Sequence, residues 1–222
     1  MEIQTRRMAI LVELRNHAPF TLLGAVTGIL CMILFRNLEY ETNRRIFYVF
    51  HPAHVLLSTI VMTSIFELHS PVRRFFGIIL VGFFGSVFLA TLSDSLIPYI
   101  GELILGMQIS PHGHEHAGFV QEAHIGFIEA WYIVLPAAAV GILAAILRPR
   151  TKFPHAGHIL LSTWASSFHI MMAMEGQLSV WNVIGSFVFL FLAVWLPCCF
   201  GDIVFPLLFV KSPGGACHCH SY

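Results

Sequence analysis

The chain has 222 residues, 57% hydrophobic and 11% charged, with 12 basic and 12 acidic side chains and a mean hydropathy of +0.78. A soluble domain carries about 25% charged residues, so this composition argues against a water-soluble fold and for a lipid bilayer as partner. The net charge of zero leaves no basic surface for a nucleic acid.

In chain order, residues 1–16 read as a short interfacial amphipathic helix. Glu13 and Arg15 interrupt the apolar run, and no small-residue cleavage site follows, which argues against a signal peptide. Six apolar stretches are then long enough to cross a bilayer, which takes roughly 20 residues each. They cover 18–35, 46–68, 75–97, 125–147, 158–174 and 181–210, the last able to tilt or break at Pro197 and Pro206. The fold class is therefore an all-α polytopic membrane protein with six transmembrane helices.

The six helices are expected to form two inverted three-helix repeats. The phrase His51-Pro-Ala-His54-Val-Leu-Leu-Ser-Thr59 returns 104 residues later as His155-Ala-Gly-His158-Ile-Leu-Leu-Ser-Thr163, with six of nine positions identical. Weaker matches follow in the same order. His17-Ala-Pro-Phe20 pairs with His124-Ile-Gly-Phe127, and Asp94 with Pro98 pairs with Asp202 and Pro206. A unit of three spans reverses orientation between copies, so tandem repeats are antiparallel about an axis in the membrane plane. The organisation is 1–106 first repeat, 107–124 His-rich external loop, 125–210 second repeat and 211–222 Cys/His tail.

Nine Lys and Arg residues flank the spans on one side and only Arg36, Arg44 and Arg45 on the other. By the positive-inside rule both termini are cytoplasmic. Cys31, Cys198, Cys199, Cys217 and Cys219 then lie within spans or facing a reducing compartment and do not suggest disulfides.

Histidines three apart share a helix face, with Pro52 and Pro154 placed to open each helix. With the carboxylates they form the imidazole and oxygen set that a divalent transition metal takes. The metal candidates are His17, His51, His54, Asp94, His124, His155, His158 and Asp202, one group toward each membrane face. The same residues could instead cap helices, hydrogen-bond between helices or hold an anion at a helix N-terminus. Accessory ligands are His112, His114 and His116 in the loop and Cys217, His218, Cys219 and His220 in the tail. Ser58, Thr59, Ser162 and Thr163 follow the histidine pairs by one turn and can support them.

The leading functional expectation is a permease or channel-like transporter for a divalent transition metal, with Zn, Ni, Mn, Fe and Cu not distinguished. No Walker-type glycine loop is present, so coupling would be to protons or to the metal gradient. One alternative is a di-haem b electron carrier, pairing His54 with His169 and His69 with His155. Another is a membrane metalloenzyme using Glu67, Glu122 or Glu129, although an enzyme is not the favoured class. The reading is compatible with a homo-oligomer.

Overall fold

A chain this apolar meets its backbone hydrogen-bonding needs by winding into helices, and all regular structure among the described residues is helical. The structure, a computed structural model, describes residues 2–70, 75–107, 124–149, 152–174, 179–199, 201 and 205–209. It leaves undescribed the side chains of residues 2–14, 16, 69, 152–155, 199, 207 and 208. The long helices are α1 (Glu2–Leu34), α2 (Tyr40–His69), α3 (Phe75–Ile104), α4 (Trp131–Leu147), α5 (Lys152–Met174) and α6 (Val180–Cys199). One-turn helices lie at Gly126–Glu129 and Phe205–Leu208.

Four segments among the described residues are long and apolar enough to cross a membrane: His17–Leu34, Tyr40–Leu68, Phe75–Ile104 and Val180–Cys198. Such a protein has the helices of an integral membrane protein. Of the other two stretches expected to span, α4 is apolar but short, because the chain breaks at Ala130 (φ −121°, ψ 35°) between Glu129 and Trp131. The α5 helix is long but polar, and its polar side chains point inward. His158, Ser162, Thr163, Ser166, Ser167 and His169 are all buried there. Ser166, Ser167 and Thr163 return their hydroxyls to carbonyls one turn back, which lets a polar helix sit inside a bundle.

The polarity of the bundle is that of a protein solvated by hydrocarbon. Phe75, Phe76, Phe84 and Phe88 of α3, Leu143 and Leu147 of α4 and Trp181 of α6 lie on the outside. The inside collects hydroxyls, imidazoles and carboxylates. The α5 helix is flanked by α1, α2, α3 and α6, and α2 by α3, α4 and α5, so α2 and α5 meet at the centre. Close packing there relies on small residues: a Cβ on Gly141 of α4 would come within 2.8 Å of the Leu56 carbonyl and Thr59 Cβ of α2.

Three local expectations change. The N-terminal segment is not a separate interfacial helix; α1 runs unbroken from Glu2 through Pro19. The first histidine pair does not open its helix. The α2 helix starts earlier, at Tyr40, where Arg44 lies 3.8 Å from Glu41 and 3.5 Å from Glu129, and Pro52 lies in the helix interior. Asp94 does not cap the end of a segment. It is fully buried within α3, in a turn (Leu92–Leu96) that widens to π-helix. Pro98 explains the widening: it lacks the N–H that would bond the Asp94 carbonyl in a regular α-turn.

Candidate metal centre

The phrase repeated along the chain is brought together in space. His54 on α2 and His158 on α5, the corresponding histidines of the two copies, stack with ring centroids 5.7 Å apart and planes 15° from parallel. Both are buried.

Behind His54 stands Asp94 on α3. Its Oδ2 lies 2.7 Å from His54 Nδ1 and 2.9 Å from His51 Nδ1. Its Oδ1 accepts hydroxyl hydrogen bonds from Ser93 and from Ser162 on α5, each at 2.8 Å. An ionised carboxylate only accepts, so both imidazoles donate from Nδ1. That assignment, made from the hydrogen-bond network, leaves each Nε2 with its lone pair while the ring is neutral.

The two Nε2 atoms meet different surroundings. His51 stacks on Phe47 at 5.5 Å, and a Cβ on Gly126 would run into the His51 ring, so glycine suits the point where the one-turn helix Gly126–Glu129 crosses it. His51 Nε2 is buried there with no hydrogen-bond partner among the described residues. His54 Nε2 faces Cys198 on α6, 3.9 Å from its Sγ, and Cys198 Sγ is also 3.8 Å from Ser162 Oγ. One ligand atom from each of His54, His158 and Cys198 lies within 4.8 Å of the other two. In a tetrahedral site with Zn–N of about 2.0–2.1 Å and Zn–S of about 2.3 Å, neighbouring ligand atoms are roughly 3.3–3.7 Å apart. A small contraction would therefore close three ligands on one ion and leave a fourth position open.

The electrostatics also favour a cation. Both ion-pair partners given by the described residues to Asp94 are histidines. With neutral imidazoles the centre carries one buried negative charge, which is costly unless a proton or a metal ion compensates it. A carboxylate holding a ligating imidazole from behind orients the ring and raises its basicity.

A second polar cluster lies toward the start of α2. Tyr48 donates to Glu129, and Arg44 is 3.5 Å from Glu129 and 3.8 Å from Glu41. Tyr40 Oη and His124 Nε2 are 2.9 Å apart, and His124 Nδ1 is 3.5 Å from Glu129 Oε1. His124 has φ 41°, a left-handed conformation costing of order 1–3 kcal/mol outside glycine. Ser95 fixes that turn through the His124 carbonyl, at 3.1 Å. Deeper, His169 Nδ1 and Glu102 Oε1 are 2.8 Å apart.

Of the residues expected to bind metal, His51, His54, Asp94 and His158 are gathered at the centre. His124 belongs to the second cluster, and His17, buried, lies in α1 one turn before Thr21, whose hydroxyl bonds its carbonyl at 3.2 Å. The His155 and His69 side chains, Asp202, the loop residues His112, His114 and His116 and Glu122, and the tail residues Cys217, His218, Cys219 and His220 lie outside the described residues. Of the haem pairings, His54 stacks on His158 rather than meeting His169, which is held by Glu102. Glu67 and Glu129, considered for catalysis, are not among the described residues whose ligand atoms gather in the His54–His158–Cys198 group.

Cys198 is the residue that sequence reasoning passed over, set aside as a reduced thiol near a helix end. A signal was present. Cys198 stands 104 residues after Asp94, the separation of the two phrases. Glu102 and Tyr48 gave no such signal, since their partners are 67 and 81 residues away.

No family model, no curated protein and no solved structure matches this chain.

Proposed function

We propose that the chain is a membrane permease for a divalent transition-metal ion, with the ion as cargo passing through a central site made by His54, His158 and Cys198. The observation that carries this reading is the convergence of two imidazoles and a thiol from three helices, with Asp94 behind His54. The thiolate shifts the choice toward Zn and away from Mn, because sulfur ligands prefer softer ions. The open fourth position suits a site that must release its ion as well as bind it.

The reading includes six membrane crossings in two inverted repeats, with α4 and α5 as shielded or short spans and both termini cytoplasmic. Its support is the meeting of corresponding residues at the centre of the bundle, as happens on a pseudo-twofold axis. His54 stacks on His158. Thr59 and Thr163 make the same bond to the carbonyl four residues back, at 2.7 and 2.8 Å.

The test is cobalt loading of the purified protein. Bound Co(II) should show a thiolate-to-metal charge-transfer band and tetrahedral d–d bands. Cys198→Ser should remove the first while keeping an ion, and His54→Ala with His158→Ala should abolish binding. The same double variant should lose zinc uptake in proteoliposomes. Charge-transfer intensity that persists in Cys198→Ser, or full uptake in the double variant, would overturn the proposal.

A further inference from the structure

One face of α2 carries Tyr40, Arg44, Phe47, His51, His54 and Ser58, at the three- and four-residue spacing that aligns side chains along a helix. Phe47 is the only hydrocarbon side chain in that row. It separates the two polar clusters. Its ring stacks on His51 at 5.5 Å and 13°, and meets the edge of His169 at 5.5 Å and 77°. Phe47 is fully buried.

On the far side of Phe47 the polar groups form a graded descent. Side-chain exposure falls from 40% at Arg44 to 17% at Glu129 and 13% at His124, then to 3% at Glu102 and 1% at His169. The rings of His124 and His169 are 5.9 Å apart and connect the two levels. Arg44, the only Lys or Arg named in this descent among the described residues, lies 3.8 Å from Glu41 and 3.5 Å from Glu129, and 5.3 Å above the Tyr48 ring. Glu102 adds a second carboxylate below it.

We infer that this descent is the access route to the central site and that Phe47 is its hydrophobic gate. The inference rests on reading His54, His158 and Cys198 as the site a cation must reach. A cation leaving His169 and Glu102 would have to shed water against a benzene ring that offers no ligand, at a cost of several kcal/mol. One face of that ring is covered by His51, so cation–π attraction on that side is blocked. Rotation of the Phe47 side chain would put His51 directly beyond His169, and His51 is hydrogen-bonded to the same Asp94 oxygen as His54. The gate thus opens onto the carboxylate that organises the centre.

Cys198 reports the state of the gate without any metal. In the full chain with Cys31, Cys199, Cys217 and Cys219 changed to Ser, the probes are the cationic aminoethyl and neutral hydroxyethyl methanethiosulfonates. Each transfers its alkylthio group to the Cys198 thiolate and releases methanesulfinate. Phe47→Ala should raise the aminoethyl rate by about tenfold or more, the change that ~1.4 kcal/mol off an access barrier produces. Phe47→Leu, a smaller loss of volume should the alanine variant fail to fold, should fall between it and the parent. Adding Glu102→Gln should slow the cationic reagent several-fold and leave the neutral one unchanged. Phe50→Ala is the control, since Phe50 packs on Trp164 and Phe168 instead. Equal rates in parent and both Phe47 variants, or an equal rise in Phe50→Ala, would overturn the gate. Loss of cobalt binding with the labelling pattern intact would instead remove the metal reading and leave the route standing.

Discussion

Side by side, α2 and α5 carry the same phrase and use it differently. Thr59 and Thr163 do the same job, each returning its hydroxyl to its own helix. The serines one residue earlier diverge. Ser162 donates to Asp94 Oδ1 at 2.8 Å, whereas among the described residues Ser58 reaches only the Met62 sulfur, at 3.7 Å. The imidazole Nδ1 atoms on Asp94 Oδ2 both come from α2. One copy thus supplies rings to the carboxylate and the other supplies a hydroxyl, and the copies meet again where His54 stacks on His158. The single described centre is asymmetric although its sequence is duplicated. What breaks the symmetry is α3 against α6, which present Asp94 on one side and Cys198 on the other.

The largest way to disturb this asymmetry is at its pivot. Asp94→Asn is nearly isosteric. Its carbonyl can still accept from the histidines and its amide can donate to Ser93 and Ser162, whose hydroxyls turn to accept. The fold should survive, but the charge behind His54 is lost. Metal affinity should fall about 10–100-fold, the usual effect of removing a carboxylate that supports a ligating histidine. Isothermal titration with Zn(II) checks this, and unchanged affinity would mean that Asp94 serves packing alone. If the two copies were used equivalently, removing one carboxylate could weaken at most half of the binding capacity.

The next test separates the thiol from the imidazoles. A thiol must release its proton to bind metal. For each proton released, affinity rises about tenfold per pH unit, by the linkage of binding to proton uptake. The intact centre should therefore bind zinc more tightly as pH rises, and acid should expel the ion. Cys198→Ser should reduce the slope of log affinity against pH by about one wherever the thiol is protonated in the free protein. An identical slope in both proteins would show that Cys198 stays outside the coordination sphere.

Much of the centre was legible in the residues. The repeated His-x-x-His phrase marked His51, His54 and His158, and an ionisable residue within an apolar stretch marked Asp94. The arrangement was not legible. The phrase suggested one group of ligands toward each membrane face, whereas the structure places His54 against His158. That contact depends on how deeply the pair lies in α2, and thus on a helix start at Tyr40 that Arg44 and Arg45 concealed. The π-turn around Asp94 was written only as Pro98, four residues on. The spans were legible where a helix faces outward, as with the phenylalanines of α3. The stretch 158–174 reads as a further span, whereas in α5 the polar side chains are buried inside the bundle and the helix is not among the four that are long and apolar enough to cross. The Tyr48–Glu129 and His169–Glu102 pairs were invisible because nothing local encodes a contact across two helices.

The smallest predicted effect tests the divergence of the serines directly. Ser162→Ala removes one of the two hydroxyls on Asp94 Oδ1. A hydrogen bond to a charged acceptor contributes about 1.5–3 kcal/mol, and Ser93 remains, so a loss near 1–2 kcal/mol is expected. For a chain of this size about 1 kcal/mol moves the melting temperature by roughly 2–4 °C. Ser58→Ala removes only a long contact to sulfur and should shift it by less than about 1 °C. Added zinc sharpens the contrast. Metal stabilises the folded state in proportion to its affinity, and Ser162 touches both Asp94 and Cys198. Ser162→Ala should therefore also shrink the zinc-induced rise, and Ser58→Ala should leave it whole. Matching shifts in the two variants would mean that the copies are used alike, and the asymmetry around Asp94 would lose its functional meaning.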